Sequence, residues 1–222
     1  MASLFNSRGI ADVTTVRKLA PLPETADGLR TMALTLGSTN DNLFLGERAT
    51  EKNAKTQDLS DCRVLAFATH GLVAGDLKGV AEPALVLTPP AAGTEDDDGL
   101  LTASEVATLK LNADLVVLSA CNTASADGTP GADALSGLAK AFFYAGSRAL
   151  LVSHWPVASD ASVQLTTKML QETANDNKIG RAEALKRSML SLMNSPDKPH
   201  YAHPMFWAPF VVVGEDGTAA LN

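Results

Sequence analysis

Cysteine is nearly absent from this chain. Only Cys62 and Cys121 occur in 222 residues. There is no CxxC pair, and the four histidines, at 70, 154, 200 and 203, do not cluster around either thiol. A zinc site therefore has no ligand set to rest on. Basic residues are also scarce: 18 Lys and Arg stand against 25 Asp and Glu, a formal net charge of -7. That balance argues against nucleic acid as a partner, which needs a basic face, but leaves a small basic peptide open as ligand. No apolar run approaches the roughly 20 residues of a membrane span, so no membrane partner is expected. "MASLFNSRGIADV" lacks a basic stretch leading into a long apolar one, as a secretory leader would have. The default compartment is a reducing cytosol, with both thiols free. Neither GxGxxG nor a Walker loop occurs, which argues against a nucleotide- or flavin-binding sheet, and no cofactor is expected. No internal repeat and no interior Gly/Ser/Pro linker divides the chain.

What is present is enough for a core: 45% of residues are hydrophobic and 19% charged. "PLPETADGLRTMALTLG" places Leu29, Met32, Ala33 and Leu36 at helical spacing, with Gly37 as the stop. "NLFLGE" reads as a short strand. Thr50 opens a short helix in "ATEKNAKTQDLS", and Thr102 with Glu105 forms a capping box. "RVLAFATH" (63–70), "ADLVVLSAC" (113–121) and "RALLVSHW" (148–155) are apolar runs with too few polar residues to face water, so they read as central, parallel strands. "PALVLTPP" (83–90) is a further strand, and 132–146 a helix stopped by Gly146. Two amphipathic helices follow. "MFWAPFVVVG" (205–214) is a last strand, with Pro209 marking a bulge or an edge. The acidic triplet Asp96–Asp98 reads as a solvated turn. Residues 1–20 show no clear period and are expected to be loosely held, and 215–222 to form a tail. Strands alternating with helices predict an α/β domain with a largely parallel sheet.

In such sheets ligands gather beyond the carboxyl ends of the strands. His70 and Cys121 each close a buried run. Parallel neighbours lie about 4.8 Å apart, so if these two strands are adjacent the imidazole and the thiol meet above the sheet. An imidazole there can take the thiol proton and return it to a leaving amine. Gly71 follows His70 and lets its N–H approach a substrate oxygen. Cys62 precedes its strand without a histidine partner and reads as structural. His154 also ends a strand but lies beyond the cysteine strand, and it too reads as structural. His203, Trp207 and Phe210 read as packing of the last strand.

The blocks "VLAFATHGL", "LVLSACNTA", "GLAKAFFYAGSRALLVSHWPV" and "HPMFWAPFVVVG" resemble, in order, those of the CHAT domain family of cysteine peptidases, relatives of caspases and separase. "LAPLPETADGLRTMAL" and "LFLGERATEKNAK" also look like CHAT segments. The resemblance covers roughly residues 20 to 214. It implies a caspase-like three-layer sandwich, a mostly parallel central sheet flanked by helices, with the peptidase domain over 21–214. It implies a His70/Cys121 dyad with Gly71 and Cys121 N–H groups as oxyanion donors. It further implies a protein or peptide substrate and an activating partner or sensor module. Two features depart from the family pattern. The sheet that usually precedes the "PLPET" block has only about twenty residues here in which to form. "WPVASDAS" keeps Asp160 but has Ala158 and Ser159 before it, so Asp160 is a candidate either for the pocket of a basic P1 side chain or for the N-cap of the next helix. A catalytically silent interaction module of the same family is the competing expectation.

Overall fold

The computed structural model describes residues 11–74, 82–119 and 137–217. In chain order these form α1 (Val13–Val16), α2 (Pro23–Thr35), α3 (Glu51–Thr56), β1 (Val64–Ala68), β2 (Gly71–Leu72), β3 (Ala84–Val86), β4 (Leu100–Thr102) and α4 (Ala103–Val106). Then come β5 (Leu115–Ser119), α5 (Gly137–Tyr144), β6 (Ala149–Ser153), α6 (Ser159–Asn175), α7 (Arg181–Met193) and β7 (Phe210–Gly214). The main sheet has the order β1-β5-β6-β7, parallel except for β7. A small antiparallel sheet, β2-β3-β4, branches from it.

The alternation of side chains along β5 explains the layers. Leu115 and Val117 face α2, α6 and α7, in a core with Met32, Leu165, Met169 and Tyr201. Val116 and Leu118 face the opposite side, where α5 inserts Leu138 and Phe142. Period two on the strands and helical stripes on both sides make a three-layer α/β/α sandwich. The helix stops fall where expected. Gly37 (φ 67°) ends α2 and Gly146 (φ 111°) follows α5, both in a left-handed conformation that a Cβ disfavours. Thr50 Oγ1 accepts from Asn53 N at 3.1 Å, and the Thr102/Glu105 capping box is formed.

Four expectations need correction. "NLFLGE" is not a strand: Asn40–Asn42 and Gly46–Arg48 are 3-10 turns. Gly46 adopts a positive φ of 54°, and the Gly46 carbonyl accepts from Thr88 Oγ1 at 2.7 Å, so the backbone closes local turns rather than a ladder. "RVLAFATH" is not central. Among the described residues β1 pairs with β5 alone and is half-buried throughout. The last strand starts only at Phe210, because Pro199 and Pro204 open two short 3-10 helices ahead of it. Pro209 immediately precedes this edge strand, as its missing N–H requires.

The acidic triplet is solvated at Asp96, which is exposed, but not at Asp98. Asp98 is 4% exposed, and its carboxylate accepts from Ala11 N at 2.8 Å and Leu100 N at 3.0 Å. Beside it Glu51 is fully buried and accepts from Asp98 N (2.8 Å) and Gly99 N (3.0 Å). Lys55 bridges Glu51 and Glu105 at 2.9 and 3.0 Å. Within the stretch expected to be loose, Ala11 and Val16 are buried against Ala84, Val86 and Leu100 of the small sheet. Arg17 donates to the Pro90 carbonyl at 2.5 Å.

Two predictions follow from this packing. Phe142, fully buried and 5.6 Å from the Phe67 ring, costs about 3–5 kcal/mol when truncated to Ala, read by urea unfolding. Burial, reinforced by the Glu105 carboxyl, pushes Glu51 up to about 7 from 4.5. The protonated form is thus favoured by folding, so this contribution is complete below pH 4.5 and lost as pH rises through about 7. The melting temperature should fall between pH 5 and 8, and Glu51→Gln should flatten that slope. An unchanged slope would show that Glu51 does not titrate there.

Candidate functional site

The site lies where β1, β5 and β6 end. In the β1–β5 ladder the last pair is Ala68 opposite Ser119. His70 stands two residues past Ala68, and Cys121 two residues past Ser119 in sequence. The strands expected to carry the dyad are therefore parallel neighbours. Cys121 itself, with Ala120 and residues 122–136, lies outside the described residues.

At His70 the chain leaves the main sheet and enters β2. Three contacts fix this junction. Thr69 Oγ1 donates to the Val86 carbonyl, Val86 N donates to the His70 carbonyl at 2.9 Å, and the imidazole Nε2 lies 2.7 Å from the Ala20 carbonyl. A carbonyl can only accept, so Nε2 carries the proton in this bond. In the neutral ring, Nδ1 is then the basic nitrogen. Ala20 sits between α1 and α2, so the N-terminal segment sets the tautomer.

Gly71 is opposite Leu85. The bond from Val86 N to His70 O straddles this pair, which makes it a non-hydrogen-bonded pair of the antiparallel ladder. Gly71 N–H thus points away from β3, and β2 is at the outer edge of its sheet. That is the orientation a donor to a bound oxygen needs.

Next to His70 lies a cavity of about 100 Å³. Its described lining includes Thr25, Thr69, Ser119, Ser153, Ser159 and Ser162, a ring of hydroxyls from four elements and the β1–β2 junction. None of these hydroxyls stood out in the sequence. Each belongs to an ordinary Ser/Thr in the first turn of a helix or near a strand end, and only the fold converges them.

Asp160 is not among the described residues lining that cavity. It lies in the first turn of α6, whose N-cap position is Ala158, so the N-cap expectation is corrected. Its carboxylate accepts from Lys198 Nζ at 2.7 Å, from the Tyr201 hydroxyl, and from Ala161 N at 2.9 Å. Burial opposes ionisation, but Lys198 and Tyr201 outweigh it and hold the carboxyl below its ordinary value. Lys198 is in turn raised, chiefly by its bond to Asp160. This trio fastens the start of α6 to the turn around Pro199–Ala202.

His154 is exposed, and its backbone N–H donates to the Pro209 carbonyl at 3.0 Å. His203 does not pack beneath the last strand: it is exposed, and its Nδ1 accepts from Met205 N at 3.2 Å. Phe210 is buried and Trp207 half-buried, as their packing role requires. Cys62 is half-buried, and burial together with Asp58 and Asp61 pushes its thiol up.

A family model for the CHAT domain matches residues 7–215, nearly the whole chain. The chain belongs to the CHAT domain family, a group of caspase-like, peptidase-related domains. Over 117 residues it is 34% identical to tetratricopeptide repeat protein 28 of Mus musculus, and equally to that of Homo sapiens. The aligned stretch is 53% of this chain and 4% of each relative, so the chain spans a small part of the proteins it matches. Among the described residues no helix is long and apolar enough to cross a membrane.

The raised Cys62 gives a direct expectation. In a Cys121→Ala variant at pH 7.5, Cys62 should react with iodoacetamide more slowly than a free thiol of pKa about 8.5. Alkylation as fast as glutathione would contradict the buried, acid-flanked setting.

Proposed function

We propose that the chain is a cysteine endopeptidase acting on protein or peptide substrates through a His70/Cys121 dyad. The observation that carries this reading is the parallel β1–β5 ladder with Ala68 opposite Ser119, joined to an imidazole whose Nε2–H is already committed to Ala20. His70 Nδ1 takes the proton of the Cys121 thiol as Sγ bonds to the scissile carbonyl carbon. The resulting oxyanion is held by the N–H groups of Gly71 and Cys121. The His70 imidazolium then protonates the leaving amine as the C–N bond breaks, leaving a thioester. Water deprotonated by His70 hydrolyses the thioester and restores the thiol. Every step uses groups of the chain and water, so no cofactor is required.

In this reading Asp160 offers a carboxylate to a basic P1 side chain in competition with Lys198. The enzyme acts under control of an activating partner or sensor module, and in the cytosol. A second reading is favoured by the relatives: both are named for tetratricopeptide repeats, which suits a domain kept for regulation or assembly. There the dyad is retained without turnover.

Cleavage of a peptide library separates the two. His70→Ala should lower turnover about 10²–10⁴-fold, the range for loss of a general base, and Cys121→Ala should abolish it. Cleavage that persists in both purified variants would sink the dyad assignment. A wild type that cleaves nothing, with Cys121 no more reactive than an ordinary thiol, would favour the regulatory module.

A further inference from the structure

Arg17 is exposed, yet its guanidinium is committed to two backbone carbonyls, Pro89 O at 3.3 Å and Pro90 O at 2.5 Å. Its place in the chain gives that grip a use. Arg17 closes α1, and three residues later the Ala20 carbonyl meets His70 Nε2 at 2.7 Å. A carbonyl swings with its peptide plane, which pivots on the two flanking Cα atoms, so aiming this one requires both flanks to be held. On the far flank the chain enters α2 at Pro23. On the near flank α1 is a helix of four residues, too short to stand by itself. The Thr15 and Val16 carbonyls accept from Lys18 N and Leu19 N, so residues 15–19 move with it as one piece. Val16 and Leu19 lay that piece on the small sheet, and Arg17 adds a polar tether. The anchor it grips is rigid. Pro89 and Pro90 have their φ fixed by the ring. Pro89 is seated on Gly99, where an added Cβ would stand 2.7 Å from Pro89 Cβ. Gly99 N–H in turn donates to the buried Glu51 carboxyl. The grip therefore runs from the buried acids through Gly99 and Pro89 to Arg17.

We propose that Arg17 is a positioning residue for His70: by gripping the Pro89–Pro90 turn it holds the Ala20 carbonyl against the ring and so keeps the working tautomer. The inference rests on the dyad reading, in which a bare Nδ1 takes the Cys121 proton. An imidazole without that acceptor populates both tautomers, and the form that carries Nδ1–H cannot accept a proton there. The residue type fits the task. A planar guanidinium presents its donors in a fixed fork and reaches two successive carbonyls at once, whereas an ammonium is a single point on a flexible stem. Because Arg17 is exposed, its removal costs global stability little. Misplacing a reacting group by about 1 Å, in contrast, costs roughly 10² in rate.

The test labels the histidine rings of the full chain with nitrogen-15 and reads the His70 nitrogens by NMR. The pH is 8.5, above the ordinary imidazole value of about 6.5, and His70→Gln gives the assignment. In the wild type Nδ1 should show the shift of a bare nitrogen and Nε2 that of a protonated one. Arg17→Ala should move both toward their average. It should also lower kcat on a cleaved peptide at least about tenfold, with KM changed less than about twofold and the melting temperature within a few degrees. Arg17→Lys, which keeps a single bond, should fall between. Lys18→Ala, at the exposed neighbour, should match the wild type in ring shifts and in kcat. Unmoved ring shifts in Arg17→Ala overturn the proposal. So does a loss of turnover shared by Lys18→Ala or matched by a fall in melting temperature. If the wild type cleaves nothing, the dyad reading fails, and the ring shifts still decide whether Arg17 aims the imidazole.

Discussion

Two strands distant in sequence lie side by side because each is apolar on both faces. β1 and β5 share a parallel ladder from Val64–Leu115 to Ala68–Ser119, and the rest of the molecule is arranged around it. Burying both faces of β5 requires helices above and below, which α2, α6 and α7 supply on one side and α5 on the other. The same ladder fixes where the chain can change direction. Among the described residues the ladder ends at Ala68, and the chain turns into the small sheet through His70. A residue at such a junction has its backbone restrained by one sheet and its side chain free of both.

The side chain is restrained from elsewhere. The N-terminal segment lies on the small sheet through Ala11 and Val16 and delivers the Ala20 carbonyl to Nε2. Beneath it, Glu51, Lys55, Asp98 and Glu105 form a buried polar knot that satisfies the backbone N–H groups of Asp98, Gly99, Leu100 and Ala11. Buried donors cost about 1–3 kcal/mol each when left unpaired. The knot is therefore the means by which the end of an acidic loop, at Asp98, is held inside.

Much of this was legible in the sequence. Continuous apolar runs marked β1, β5 and β6, because strands packed on both faces have no need of alternating polar residues. Thr50, Thr102 with Glu105, Gly37 and Gly146 marked helix ends, because capping is local chemistry. That two similar runs ended in His70 and Cys121 was legible, but that the runs are neighbours entered only as a condition, which the β1–β5 ladder supplies. What was not legible depends on distant partners. Nothing local distinguishes an edge strand from a central one when both are apolar, so β1 read as central. Asp98 read as solvated because its partner, Ala11 N, is 87 residues away. Asp160 read as a pocket acid or cap because Lys198 and Tyr201 are 38 and 41 residues distant. The Ala20 contact uses a backbone carbonyl, a group every residue has, and so left no trace in residue type.

The stretch from Ala11 to Ala20 is pinned at one end by Asp98, at the other by His70, and in the middle by Arg17 on the Pro90 carbonyl. It therefore works as a ruler. Its two end pins engage backbone groups, Ala11 N and the Ala20 carbonyl, so they depend on its count rather than on residue type. A single inserted or deleted residue between the two pins would carry the Ala20 carbonyl out of reach of the imidazole while leaving every strand and helix of the main sheet in place. Outside Ala11, Val16 and Arg17, such a segment tolerates change of letter far better than change of length.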